Sequence, residues 1–316
     1  MEYAQGAMKI KANGIDIEVE DTAAGAPADH LQRPVVVLIM GLGMQLVAWP
    51  PQMVQALVDA GFRVVRLDNR DIGLSTHLDH LGKPKLAWEF LKFRFGFVPR
   101  PPYSLSDMAA DTVGVLDALG IAKAHIVGVS MGGMIAQRVA IAVPGRTLSL
   151  TSIMSTSGAR RLPQADKKVL GALISRPANN SPEAIENHYV KLLRVIGSPG
   201  FPTPEAEMRE RIAHGVRRSY HPQGVLRQML AIVADITRAA QLSRITSPTL
   251  VLHGKADPLV PYACGEDTAR RIPGATLVGI DGMGHDLPAV PVARMLEVLI
   301  PHMNAAHIPQ PTAALP

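Results

Sequence analysis

Three residues far apart in the chain carry side chains that could act together. Ser130 stands in "GVSMGG", residues 128–133, Asp257 in "HGKADPLVP" and His285 in "DGMGHDLP". A serine hydroxyl is a weak nucleophile until a base takes its proton, and an imidazole base needs an acid to hold its tautomer. The chain order Ser, Asp, His is the one in which a nucleophile on a strand-turn-helix meets its partners. The G-x-S-x-G spacing is short, however, and a serine in a plain glycine-rich bend would also satisfy it. Taken singly, a loop histidine is mostly a surface group and an aspartate before proline mostly forms a turn. Context separates these readings.

The run "AHIVGV", 124–129, reads as a strand leading directly into Ser130, and the apolar-periodic stretch 131–142 as a helix starting directly after it. Such a turn forces the serine into a strained backbone conformation, tolerable only beside small neighbours. Gly128 and Gly132 stand two residues to either side, and Gly133 and Ala136 extend a close helix-sheet contact. The new helix points backbone N–H groups and a positive dipole end at charge developing near the hydroxyl. Asp257 follows the strand candidate "TLVLHG", 249–254, and His285 follows "TLVGIDG", 276–282. His253, inside its strand, is expected to be packed or hydrogen-bonded. Asp281 and Asp286 flank the base, but Asp257 has a strand end of its own.

The elements that must position these groups alternate in kind. "MKIKANGIDIEVED" predicts a hairpin with a primed turn at Asn13-Gly14. "PVVVLIM", 34–40, is an unbroken apolar run expected of a strand covered on both faces, and it ends in Gly41-Leu42-Gly43. A helix over 51–59 and the strand "FRVVRLD", 62–68, follow, then the polar loop "NRDIGLS". Ser106 is placed to cap a helix over 107–119, with Gly120 as its stop. "TLSLTSIMS", 147–155, is another strand, and a last helix over about 292–299 precedes the loose tail "NAAHIPQPTAALP". This alternation predicts an α/β fold with a mostly parallel sheet, its loops gathered at one edge by right-handed crossovers.

Between 157 and 240 the rhythm changes to helical segments alone, about 164–174, 183–196, 205–218 and 223–240, punctuated by prolines. The expected organisation is a core over 1–156, a helical cap over 157–240 resting on the sheet's carboxyl edge, and the core resumed over 241–316. The alternative is that these helices pack on the sheet's flank. The cap offers an aliphatic stripe of Leu192, Leu193, Ile196, Leu226, Met229, Leu230 and Val233.

Composition narrows the class. The 316 residues are 47% apolar with both charge signs interspersed, as in a soluble globular chain. A net charge of +5 comes without a long Lys/Arg cluster, finger spacing or basic helix, so no nucleic-acid partner is expected. Cys264 is the single cysteine, which excludes an intrachain disulfide and a cysteine-based metal cluster. The start, "MEYAQGAMKIKANG", has no basic or apolar leader pattern, and no later stretch runs 18 apolar residues without a charge. A cytoplasmic enzyme or binding protein, with no integral membrane segment, is the expectation. One segment stands apart. "KLAWEFLKFRFGFVPRPPY", 85–103, holds many of the few aromatics. On a helix Trp88, Leu91 and Phe95 form one stripe, with Phe90, Phe93 and Phe97 on the far side. One stripe would be buried and the other is expected to meet the cap near the pocket mouth; a homodimer contact is the second choice and a lipid surface the third.

On these motifs the chain resembles the α/β-hydrolases over about 35–155 and 249–299. The resemblance implies an eight-stranded, mostly parallel sheet with helices on both faces and an inserted helical cap. It further implies Ser130 as nucleophile, Asp257 as acid and His285 as base. In that family the loop after the first parallel core strand often reads His-Gly-x, and its third residue donates an oxyanion N–H. Here the loop reads Met40-Gly41-Leu42, which makes the N–H groups of Leu42 and Met131 the oxyanion pair. The loop "DNRDIGLS" is similar to the family's Asp-x-Arg-Gly-x-Gly-x-Ser, with Asp71 in place of the first glycine. With "GLGMQLVAWP" and "GMGHDLP", it looks most like the branch containing the anthracycline (aclacinomycin) methyl esterases. The stretch 78–103 is longer than in most relatives and could reshape the pocket mouth.

The expected activity is therefore cleavage of small to medium uncharged carboxylic esters through an acyl-enzyme, with no cofactor and no metal. Carbon–carbon bond hydrolysis, thioester hydrolysis and cofactor-free perhydrolysis share the same triad. A non-catalytic binding protein on the same scaffold is the alternative of another class. A serine at this turn argues against the dehalogenase and epoxide-hydrolase chemistries, which use an aspartate nucleophile in this fold.

Overall fold

Alternating side chains and an Asn-Gly pair start the chain as a hairpin. Strands β1 (Ala7–Ala12) and β2 (Ile15–Asp21) pair antiparallel. Between them Asn13 and Gly14 take φ of 47° and 81°, the positive pair that a type I′ turn requires. The computed structural model describes residues 6–307. The remaining strands are β3 (Val35–Ile39), β4 (Arg63–Leu67), β5 (Ala124–Val129), β6 (Thr147–Ile153), β7 (Thr249–Gly254) and β8 (Thr276–Ile280). They form one eight-stranded sheet in the order β1-β2-β4-β3-β5-β6-β7-β8. The pairings β1/β2 and β2/β4 are antiparallel, and every pairing from β4/β3 to β7/β8 is parallel.

The unbroken apolar runs are explained by cover on both faces. Val35, Val37 and Ile39 of β3 join one core with the helices α3 (Leu105–Ala118) and α4 (Met131–Ala142). Val36 and Leu38 point the other way, into a second core with α1 (Pro51–Asp59) and α11 (Ala289–His307). Helix α2 (Leu86–Arg94) lies before α3, and α10 (Tyr262–Arg271) connects β7 to β8.

Two helix boundaries differ from expectation. Ser104, not Ser106, caps α3. Ser104 Oγ accepts from the Asp107 N–H (3.1 Å), while the Asp107 carboxylate accepts from the Ser104 N–H (2.7 Å). That reciprocal pair needs an acid three residues on, which Ser106 lacks. Helix α11 begins three residues earlier than expected and runs past Pro301 to His307, so 304–307 of the expected loose tail are helical; 308–316 lie outside the described residues. Met295, Leu299 and Met303 are all wholly buried, and this packing carries the helix through its missing proline N–H.

Between β6 and β7 lies the helical cap: α5 (Lys167–Ile174), α6 (Pro182–Ile196), α7 (Glu205–Arg218), α8 (Pro222–Ala234) and α9 (Arg238–Gln241). The helix expected over 223–240 is in fact two. It breaks at Asp235, whose carboxylate draws Arg138 of α4 and Arg238 of α9 together. A second ion pair fastens the cap to the core. Arg227 of α8 donates to both carboxylate oxygens of Asp71 (2.7 and 2.8 Å), and neither side chain has any solvent exposure. Burial pushes the Asp71 carboxyl up, but the Arg227 guanidinium and the Leu78 N–H outweigh it and hold the group below the usual carboxylate range.

Removing one partner of such a pair leaves an uncompensated buried charge. Arg227→Met is therefore expected to cost about 3–5 kcal/mol in urea unfolding. Asp71→Gly/Arg227→Met should recover most of that loss, because the φ of 70° at Asp71 suits glycine. A double variant as unstable as the single would show that the pair is not what fastens α8.

The aromatic segment departs from expectation in part. Helix α2 does lie against α8 of the cap. Yet Trp88, Leu91 and Phe95 are 57%, 48% and 73% exposed, and Phe97 of the other stripe is 65% exposed. Among the described residues, no helix is long and apolar enough to cross a membrane.

Candidate active site

Ser130 occupies the single residue between β5 and α4 and takes φ 55°, ψ −120°. The glycines around it are sterically required. A Cβ on Gly128 would lie 2.0 Å from the Gly132 carbonyl oxygen, and one on Gly132 would lie 2.0 Å from the carbonyl oxygen of Ile39. The helix thus starts pressed against the end of β3, and the hydroxyl is lifted clear of the sheet. The Ser130 N–H donates to Ile153 (2.9 Å) and its carbonyl accepts from Ser155 Oγ (2.7 Å), so the strained turn is held from β6 and the residues beyond it.

The loops after β7 and β8 bring the other two groups to the same sheet edge. His285 Nε2 lies 3.0 Å from Ser130 Oγ, and His285 Nδ1 lies 2.7 Å from Asp257 Oδ2. The second oxygen of Asp257 accepts from the N–H groups of Leu259 (2.9 Å) and Val260 (2.8 Å). With its carboxylate pinned from both sides, Asp257 presents one fixed oxygen to the imidazole and selects the tautomer with its proton on Nδ1. His253 is buried beneath the pair, with Nε2 donating to the Val260 carbonyl (2.8 Å), and burial lowers its pKa, as expected of a packed neutral ring. Asp286 accepts from Ser198 Oγ, and burial raises its pKa. Asp281 is exposed and pairs with Lys255.

The loop after β3 passes directly beside the serine: a Cβ on Gly41 would lie 3.2 Å from Ser130 Cβ. Its next residue is Leu42, and Met131 is the first residue of α4. Among the described residues, neither N–H is spent on a backbone acceptor. Two N–H groups flanking a serine hydroxyl are suited to a carbonyl oxygen that gains negative charge.

Cap hydrogen bonds that the aliphatic pattern did not suggest hold the loops of this site. Gln228 of α8, wholly buried, accepts from the Gly43 N–H (3.0 Å) and donates to the Arg70 carbonyl (2.9 Å), so it ties the loop beside Leu42 to the loop after β4. On the other side, the carbonyl of Ile196, at the end of α6, accepts from the His285 N–H (2.7 Å), and Ser198 Oγ accepts from the Gly284 N–H (2.8 Å). The only sign in the sequence was an Arg-Gln pair inside the apolar run "VLRQMLAIVA".

His77, Asp79 and His221 gather near the Asp71–Arg227 pair. Their geometry does not suit a metal ion. The two rings stack with centroids 3.9 Å apart and 4° between planes, so their nitrogen lone pairs run parallel instead of converging. Arg227 lies 3.2 Å from the Asp79 carboxylate, and His221 Nδ1 lies 2.8 Å from the Asp71 carbonyl oxygen. The cluster is an extension of the fastening between cap and core.

The model of the alpha/beta hydrolase fold family matches residues 34–289. The chain belongs to this family. Rhodomycin D methylesterase DnrP of Streptomyces peucetius is 30% identical over 308 residues, which cover 90% of this α/β-hydrolase and 94% of that protein. Among solved structures, the meta-cleavage product hydrolase CumD of Pseudomonas fluorescens IP01 superposes with a TM-score of 0.71 at 21% identity, covering 96% of this chain and 99% of that one. A thermophilic esterase from Thermogutta terrifontis gives 0.65 at 22% identity, covering 95% and 99%. At these identities the two structures speak to the fold alone. The eight-stranded sheet, its helices on both faces and the helical cap are those of the α/β-hydrolase fold.

Proposed function

We propose that this α/β-hydrolase is a serine carboxylic-ester hydrolase, with Ser130 as nucleophile, His285 as base and Asp257 as acid. The observation that carries the reading is the unbroken line from Ser130 Oγ through the His285 ring to the Asp257 carboxylate. Ser130 Oγ attacks the ester carbonyl carbon as His285 Nε2 takes its proton. Asp257 stabilises the resulting imidazolium through Nδ1, and the Leu42 and Met131 N–H groups receive the oxyanion; one such donor is worth about 3 kcal/mol of barrier. Collapse breaks the carbon–oxygen bond, and the leaving alkoxide takes the proton from His285. A water that gives its proton to the same nitrogen then attacks the acyl-enzyme, releasing the acid and restoring Ser130.

Similarity to the rhodomycin D methylesterases over 90% of the chain supports ester cleavage over the carbon–carbon, thioester and perhydrolase chemistries. The cap side chains Leu192, Leu193, Ile196, Leu226, Met229, Leu230 and Val233 are all buried or half-buried, which supports small to medium uncharged substrates. In this reading residues 157–240 form the lid over a core of 1–156 and 241–316. The enzyme acts in the cytoplasm on a small-molecule ester and binds no nucleic acid.

The test is kcat/KM across nitrophenyl acetate, butyrate and octanoate, a matching anilide and a matching thioester. Oxygen esters are expected to exceed the anilide by at least about 100-fold, a barrier difference near 3 kcal/mol. An anilide rate equal to the esters, or a thioester favoured a hundredfold, would overturn the assignment.

A further inference from the structure

Helix α2 carries an apolar crest that the fold leaves facing water. Trp88, Leu91 and Phe95 stand on one stripe, the crest continues into exposed Phe97 and Val98, and Pro99 is buried again and pins the loop. Trp88, Leu91, Lys92, Phe95 and Phe97 line an open groove of about 350 Å³. The rim is basic. Lys83 and Lys85 are exposed just before the helix and Arg100 just after it. The acid within the helix, Glu89, is paired with Lys92.

We infer that this crest is a docking surface for an anionic lipid bilayer. Contiguous exposed apolar side chains need a partner, and the choice of partner rests on size and charge. The crest is five exposed apolar side chains, Trp88, Leu91, Phe95, Phe97 and Val98, on one short helix and the turn after it. A stable protein interface takes about 20–30 residues from each side, so this crest is small for a second copy. A bilayer needs no complementary shape: Trp and Phe enter the headgroup boundary, and flanking Lys and Arg meet anionic headgroups. The helix is far too short to span, so the attachment is peripheral. Because α2 lies against α8, docking would turn the cap toward the lipid. The inference is independent of the ester reading.

The chain has two tryptophans, and Trp49 is wholly buried, so any change in indole emission on mixing with vesicles reports Trp88. The full chain is mixed with vesicles of phosphatidylcholine alone or with a third of phosphatidylglycerol, at low and high salt. Co-flotation and a blue-shifted emission are expected with the anionic vesicles, falling at least about tenfold with neutral lipid or high salt. Phe95→Ser should weaken the co-flotation, Trp88→Ser/Phe95→Ser should abolish it, and Lys83→Glu/Lys85→Glu should erase the preference for anionic lipid. All four positions are exposed, so the variants are expected to keep the wild-type melting curve. A wild type that stays off both vesicles, or variants that partition as it does, would overturn the inference. So would a concentration-dependent dimer that the same substitutions abolish without any flotation, which would assign the crest to a second copy.

Discussion

Ser130→Ala is expected to lower kcat by about 10⁴- to 10⁶-fold while leaving the melting transition almost unmoved. The two halves of that result have separate causes. The hydroxyl is the atom that would form the acyl bond, and among the described residues no other hydroxyl hydrogen-bonds the His285 ring. Stability should be spared because alanine keeps the same small Cβ in a turn whose steric fit is set by Gly128, Gly132 and Gly41. A fluorophosphonate probe should add a single mass increment to the peptide containing Ser130 in the wild type and none in the variant. Retention of a tenth of wild-type kcat would remove Ser130 from the chemistry.

The second large effect is non-additivity. His285→Ala alone should cost about as much as Ser130→Ala, and Ser130→Ala/His285→Ala should be no worse than either, because the two groups share one proton transfer. Asp257→Asn should cost about 10⁴-fold in kcat at little change in KM, since the amide would favour the wrong imidazole tautomer. Its effect should likewise disappear when Ser130 is already alanine. Losses that multiply in the Ser130/His285 pair would mean that the residues act in different steps.

Much of this was legible in the sequence, for physical reasons that differ by element. The central strands stood out because cover on both faces demands unbroken apolar runs such as Val35–Ile39. The turn at Ser130 stood out because close helix-sheet contact excludes side chains at 128 and 132. Other features depended on choices that local pattern does not make. Ser104 and Ser106 are both able to cap, and only the acid at 107 decides between them. Pro301 reads as a stop, but the burial of Met303 carries the helix through it. The exposure of the Trp88 stripe followed from how α2 lies on α8, which periodicity alone does not report. Least legible were Arg227 and Gln228, whose partners at 71, 43 and 70 lie more than 150 positions away in the chain.

The hydrogen bonds of Gln228 and Ile196 bear on how such an enzyme can acquire new substrates. A cap that only shaded the pocket could be exchanged for a relative's, as a module, and selectivity would travel with it. This one supplies an acceptor to the loop carrying Leu42 on one side and another to the loop carrying His285 on the other. A transplanted cap that lacked a glutamine at 228 and set its backbone carbonyl at 196 elsewhere would release both loops, whatever pocket it offered. Recombination between relatives at this boundary is therefore expected to cost activity. Side-chain replacement within the cap, at positions such as Leu192, Leu226 and Val233 that take no part in the tethering, is the expected route by which specificity would change.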